Sequence, residues 1–172
     1  MSLKQPTDVL SHWSTMVEGL QQSSREFYTE TTSNLAEHQL KDVKTEHVTM
    51  SEGGVFSAKR EYLQIRHRDF VYHVCAAPYG NGFFVSSWLG QTENGFVAWL
   101  ASIRFIGPIV KLFASFFKPL TYYKIDTAQM FHSVVHSAVT KALDQVISVQ
   151  GKRPLTEAER KPVMRDLFDR FR

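Results

Sequence analysis

Residues Gly95–Leu120 read GFVAWLASIRFIGPIVKLFASFFKPL, and the rest of the chain is organised around this apolar stretch. It contains no acidic residue, whereas Arg104, Lys111 and Lys118 recur every seven residues. On a helix, that spacing places the three basic side chains in one narrow stripe on an otherwise apolar surface. The pattern predicts an apolar helical hairpin that is buried in a core, in an oligomer interface or in lipid.

The energetics of insertion argue against a simple transmembrane span. Roughly ten apolar residues at about −0.3 to −0.6 kcal/mol each favour insertion by about 3–6 kcal/mol, and two central basic residues oppose it by about 2.5–3.5 kcal/mol each. Gly107-Pro108 also interrupts the run, because proline removes a helix hydrogen bond. Two membrane geometries remain: a pair of short interfacial helices, or a re-entrant span whose basic side chains snorkel.

In either membrane geometry, the apolar and basic side chains of the stretch form the contact. The predicted membrane-contact residues are Phe96, Trp99, Ile103, Arg104, Phe105, Ile109, Lys111, Leu112, Phe113, Phe116, Phe117 and Lys118. The alternative is that 96–118 forms the core or the oligomer interface of a soluble module, since apolar runs shorter than about 18 residues are often core helices.

The charge of the chain is divided unequally. Residues 1–94 carry eight Lys or Arg against eleven Asp or Glu, whereas residues 95–172 carry twelve against six. A basic half that contains the apolar stretch suits an anionic membrane face, where each nearby basic residue contributes about 1 kcal/mol. No basic-aromatic nucleic-acid motif is present, so no nucleic-acid partner is expected. The single cysteine and an N-terminus without a leader pattern favour a cytoplasmic protein, peripheral to or partly inserted in a membrane.

A long amphipathic helix is predicted over residues 7–40. Apolar residues recur there at spacings of three and four, which is a heptad-like stripe, and Ser24 and Thr31 interrupt it. The stripe is expected to pack on the domain or to mediate self-association. Its candidate oligomer contacts are Leu10, Trp13, Val17, Leu20 and Phe27.

An antiparallel meander of four strands is predicted over residues 42–89. Alternating Val- and Thr-rich segments predict the strands, and Gly80-Asn81-Gly82 predicts a hairpin turn. Two helices follow within 126–172, the first over Ala128–Gln150 and the second after a capping box of Thr156 and Glu159. The predicted fold is therefore a single α+β domain with a long N-terminal helix, this meander, the apolar hairpin and two C-terminal helices.

His132 and His136 lie four apart on a predicted helix, a spacing that lets both face one metal ion. A site would need further ligands, for which His73, Cys75 and Asp126 are candidates. Residues two apart on a strand are separated by about 6.6 Å, so His73 and Cys75 do not form a nucleophile and its base directly. Cys75 is therefore expected to be a buried structural cysteine.

No phosphate-binding loop, nucleophile elbow or carboxylate cluster identifies an enzyme, and no cofactor is expected. The first hypothesis is a non-catalytic, self-assembling protein that associates with anionic lipid at the cytoplasmic face of a membrane. The second is a soluble interaction module of a larger complex, whose partner the sequence does not specify. The third is a metal-binding protein or enzyme that uses His132 and His136.

Overall fold

A computed structural model describes residues 8–51, 59–92 and 121–164. In chain order, the elements are β1 (Asp8–Glu18), α1 (Ser24–Glu37), β2 (Val43–Ser51), β3 (Lys59–His67), β4 (Phe70–Tyr79), β5 (Gly82–Gln91), α2 (Tyr122–Val149), α3 (Glu157–Arg160) and β6 (Val163–Met164). The strands form one antiparallel sheet in the order β2-β3-β4-β5-β1-β6. The protein is thus of the α+β class.

The predicted fold class is wrong in its N-terminal part. Residues 7–40 do not form one helix: β1 pairs with β5, a turn follows at Gly19 with φ +64°, and only then does α1 begin. The reason is that Trp13, Thr15 and Val17 also alternate with exposed residues, and this two-residue period places one face of a strand on the core. The segment fits both a helical and a strand spacing of apolar residues, and its pairing with β5 determines that it forms a strand.

The sheet has six strands, not the predicted four. The additional strands are β1 and β6, which were both expected to be helical. The second C-terminal helix is present but short, because α3 ends at Arg160; its expected continuation through Val163 and Met164 is wrong, since these residues pair with β1. Pro162 explains this ending, since proline disfavours helical backbone in the residue before it. The capping box of Thr156 and Glu159 is confirmed.

The core lies between one face of the sheet and the two longer helices. The helices α1 and α2 contact each other, and both contact β4. Alternate residues of the central strands supply the sheet side of this core, and one face of α2 supplies the other. The core is a cluster of buried residues that includes Leu63, Ile65, Tyr72, Val74, Phe83, Val85, Leu89, Phe131, Val135, Val139 and Leu143.

The apolar stretch 95–120 lies outside the described residues. No helix within the described ranges is both long enough and apolar enough to cross a membrane. The fold nevertheless fixes where the chain leaves the sheet and where it returns, because Thr92 directly follows β5 and Thr121 caps α2. These two flanks position the first candidate site.

Candidate functional site

Both flanks of the apolar stretch are attached to the tight turn between β3 and β4. The backbone N–H of Thr92 donates to the carbonyl of Asp69 at 2.8 Å, and the Thr92 hydroxyl donates to the same oxygen at 3.2 Å. On the other side, the Arg68 guanidinium donates to the hydroxyl of Tyr123 at 2.8 Å. The chain therefore leaves and rejoins the described fold at one place, which we call the root turn (Arg68-Asp69, with Thr92 and Tyr123).

The local conformation explains why this turn can hold both flanks. Arg68 has φ +54°, which lets the chain reverse between two strands within two residues. The Arg68 guanidinium also lies over the Tyr123 ring, 5.9 Å from its centroid. The same hydrogen bond lowers the pKa of the Tyr123 hydroxyl and raises that of Arg68. Both side chains remain exposed, so this contact attaches α2 to the turn at the molecular surface.

The surface beside the root turn is aromatic and partly basic. Tyr122 and Tyr123 have 82% and 65% of their surface exposed, which is unusual for aromatic residues at a helix start. Arg68 is exposed and Lys124 is half-buried beside them. Tyrosine with lysine or arginine is the composition of a membrane interface, because the ring is apolar and the hydroxyl prefers water.

The predicted histidine pair occupies a different place, on the side of α2 that faces the C-terminal segment. His132 is buried, with 6% of its surface exposed, and its ring stacks on that of His136 at 5.5 Å between centroids. His132 Nδ1 lies 3.2 Å from the Tyr72 hydroxyl, which in turn lies 3.4 Å from the Ser87 hydroxyl. His136 Nε2 donates to the carbonyl of Arg160 at 2.7 Å.

A groove of about 710 Å³ runs along this side of α2. The histidines and small hydroxyl side chains of α2 form one wall, and the segment 157–162 forms the other. Arg160 joins the two walls through a two-pronged ion pair with Asp144. His132 Nε2 and His136 Nδ1 are buried without a hydrogen-bond partner. Burial lowers the pKa of His132 to about 4 and also lowers the pKa of His136, so both rings are neutral at pH 7.

The geometry of the pair does not resemble a metal chelate. The two ring planes are inclined by only 15° and stack, so their in-plane lone pairs do not converge on one point. Within residues 8–51, 59–92 and 121–164, no three His, Cys, Asp or Glu side chains are grouped to hold an ion. His73 and Cys75 lie on the opposite face of the sheet from Tyr72 and His132, which removes them as further ligands.

Cys75 is buried, as predicted, and burial raises the pKa of its thiol. Its neighbour His73 contacts Gln64 at 2.7 Å, and burial lowers the pKa of that histidine to about 4. A thiol with a raised pKa is a poor nucleophile, because the thiolate is the reactive form. This face of β4 is therefore structural in character.

The residues predicted as oligomer contacts lie mainly in the core of the chain. Leu10, Trp13, Leu20 and Phe27 are each at most 8% exposed, and Val17 is partly buried against the same cluster. They sit on a strand, a turn and a helix instead of one helical stripe. The stripe therefore no longer supports self-association.

Two important contacts were not foreseen. The sequence gives no sign that Arg68 meets Tyr123, because they are far apart in the chain. Tyr72 alternates with Phe70 and Val74 on a core face, so its hydroxyl required a buried partner, and that signal pointed towards a polar group such as His132.

Comparisons with known proteins do not assign the chain to a group. It matches no protein-family model, no curated protein and no solved structure.

Proposed function

We propose that this is a non-catalytic, membrane-associating protein that presents residues 95–120 to an anionic membrane at a cytoplasmic face. The observation that carries the proposal is the root turn, where the chain on both sides of the apolar stretch is held by adjacent residues, Arg68 and Asp69. An apolar sequence whose two flanks meet at one place could enter a membrane as a single unit.

The surroundings of the root turn support the same proposal. Tyr122 and Tyr123 are exposed there, and Arg68 and Lys124 accompany them. These side chains suit the headgroup layer, with tyrosine rings towards the acyl chains and cations towards phosphates. Within the stretch itself, Arg104, Lys111 and Lys118 would meet headgroups while the phenylalanines enter the apolar layer.

The experiment is liposome flotation of the purified full chain. It compares neutral phosphatidylcholine vesicles with vesicles containing phosphatidylserine, each at low and high salt. Insertion predicts flotation with anionic vesicles that resists salt extraction, because apolar burial is not screened. Phe105→Asp and Leu112→Asp should abolish flotation while circular dichroism remains that of the parent chain.

The second hypothesis predicts a different outcome of the same experiment. If 96–118 is a core or a protein interface, the chain stays at the bottom of the gradient with both lipids. In that case, Phe105→Asp and Leu112→Asp should instead lower the thermal midpoint or dissociate a stable assembly. Failure to float under all conditions would overturn the membrane proposal.

A further inference from the structure

The strand β2 lies at one edge of the sheet formed by the described strands. Among the described strands it pairs only with β3, in an uninterrupted register from Val43 with His67 to Ser51 with Lys59. Six of its nine residues are exposed, including the whole run Lys44–His47. It contains neither proline nor a bulge, so the devices against edge pairing that remain on it are its charged side chains, which include Lys44 and Glu46.

The charges on this edge are arranged unfavourably within one chain. Lys44 lies directly opposite Arg66 of β3, and Glu46 lies opposite Gln64. All four side chains share the sheet face that is turned away from α1 and α2, because Leu63 and Ile65 occupy the core face. Like charges at directly opposite positions destabilise a sheet. Lys44 therefore lacks an acidic neighbour across the strand pair, although Glu46 is only two residues away.

We propose that β2 pairs with β2 of a second copy of this chain, antiparallel and with the twofold axis at Thr45. In this register Lys44 lies opposite Glu46 of the second copy, and Glu46 lies opposite its Lys44. The two threonines at position 45 face each other, which is a favourable cross-strand pair. Each row across the joined sheet then reads Arg66, Lys44, Glu46, Gln64, so the Lys44–Arg66 repulsion is compensated.

The register follows from the parity of the edge. Backbone N–H and C=O groups point outward from an edge strand at every second residue. When two copies of β2 pair antiparallel, residues opposite each other are therefore both odd-numbered or both even-numbered, and their residue numbers have an even sum. A register centred on Glu46 would place two carboxylates together, and one centred on His47 would set Lys44 opposite Met50. Of these three registers, only the one centred on Thr45 places Lys44 and Glu46 each opposite a residue of opposite charge. The proposal is argued from residues of β2 and β3 alone and does not rest on the proposed membrane contact.

A charge-swap series tests the pairing by sedimentation equilibrium of the full chain without lipid. Lys44→Glu places two like-charge pairs in the dimer because of the twofold axis, and Glu46→Lys does the same. Each single variant should weaken dimerisation by at least about tenfold, and the double variant K44E/E46K should restore it. Lys44 and Glu46 are both exposed, so the thermal midpoint should hardly change. A monomeric parent chain, or a dimer indifferent to the swaps, would overturn the proposal.

A disulfide trap tests the register separately. Thr45→Cys should form an intermolecular disulfide under mild oxidation, since opposite residues on paired strands bring their Cβ atoms to about 4.5–5.5 Å. Thr49→Cys is the matched control, because Thr49 is exposed on the same strand and face. In this register the Thr49 residues of the two copies lie eight positions apart along the strands. Native Cys75 is buried and does not compete. Equal cross-linking of the two variants would contradict a register centred on Thr45.

Discussion

The hydroxyl of Tyr28 accepts a hydrogen bond from the backbone N–H of Ala76 at 3.0 Å, and it donates to the carbonyl of Glu61 at 2.9 Å. The ladder between β3 and β4 ends at Leu63 and Val74. In the same register Glu61 would lie opposite Ala76, so a side chain from α1 replaces a ladder hydrogen bond where the strands separate. Tyr28 is fully buried, and burial raises its pKa, which keeps the hydroxyl protonated as a donor.

Tyr28→Phe should therefore destabilise the fold more than removal of the hydroxyl from an exposed tyrosine does. It leaves the Ala76 N–H and the Glu61 carbonyl without this partner inside the protein, at a cost of about 1–3 kcal/mol. Urea unfolding at pH 7.5 measures the change in free energy. Tyr79→Phe, at an exposed position, is the control and should be neutral. An unchanged midpoint for Tyr28→Phe would show that the bridge contributes no net stability.

Acid should unfold the protein well above the pKa range of carboxylates. In the unfolded chain His73 and His132 take up protons near pH 6.5, whereas burial delays this to about pH 4 in the folded chain. The unfolded state thus binds more protons between these values. The free energy of unfolding is not reduced by these histidines above pH 6.5. It falls as the pH drops towards 4, by up to about 1.4 kcal/mol per pH unit for each histidine.

Urea midpoints between pH 7.5 and 4.5 measure this dependence. His132→Gln should flatten the curve, because it removes one of the histidines whose pKa burial lowers. His38→Gln changes an exposed histidine and should leave the slope as in the parent chain. Parallel curves for the parent and His132→Gln would exclude His132 as a source of the acid sensitivity.

The ion pair between Arg160 and Asp144 should hold the C-terminal segment against α2. Both groups are about one-third exposed, so solvent screening limits their coupling to about 1 kcal/mol. Asp144→Asn and Arg160→Gln should each destabilise the protein, and the double variant should cost less than their sum. Limited proteolysis in the 150–164 region, measured beside a double-mutant cycle, should show faster cleavage in every variant. Strict additivity would mean that the pair is not coupled.

The tyrosines beside the root turn should contribute to membrane binding. Tyr122 is 82% exposed and Tyr79 is 69% exposed, but Tyr79 ends β4 at the far side of the sheet, roughly 30 Å from the turn. Tyr122→Ser should weaken flotation with phosphatidylserine vesicles several-fold, whereas Tyr79→Ser should not. Equal effects of the two substitutions would indicate nonspecific adsorption of the whole surface.

Local chemistry in the sequence predicted several details but not the assembly of the sheet. Gly80-Asn81-Gly82 marks the turn between β4 and β5, where Gly80 has φ +58°, and Gly151 closes α2 with φ +65°. These signals depend on one or two residues. The identity of β1 depended on its register with β5, in which Trp13 lies opposite Ser87. No local pattern contains that information.

For the candidate sites, too, the sequence predicted local features but not the contacts between distant parts of the chain. The spacing of His132 and His136 predicted that they share a side of α2, and their stacked rings do so. What surrounds them was not predictable, since Tyr72 comes from β4 and the Arg160 carbonyl comes from the C-terminal segment. The membrane-contact residues lie outside the described ranges and stay a prediction.

Because Arg68 and Asp69 hold the chain at both Tyr123 and Thr92, the fold offers a natural splice point. A short Gly-Ser linker that joins Thr92 directly to Thr121 would leave every hydrogen bond at the turn intact. Closing a shorter loop also costs less chain entropy, by about 0.6 kcal/mol for each halving of its length. The root turn is therefore the place at which a deletion or exchange of the apolar stretch would be joined to the described fold.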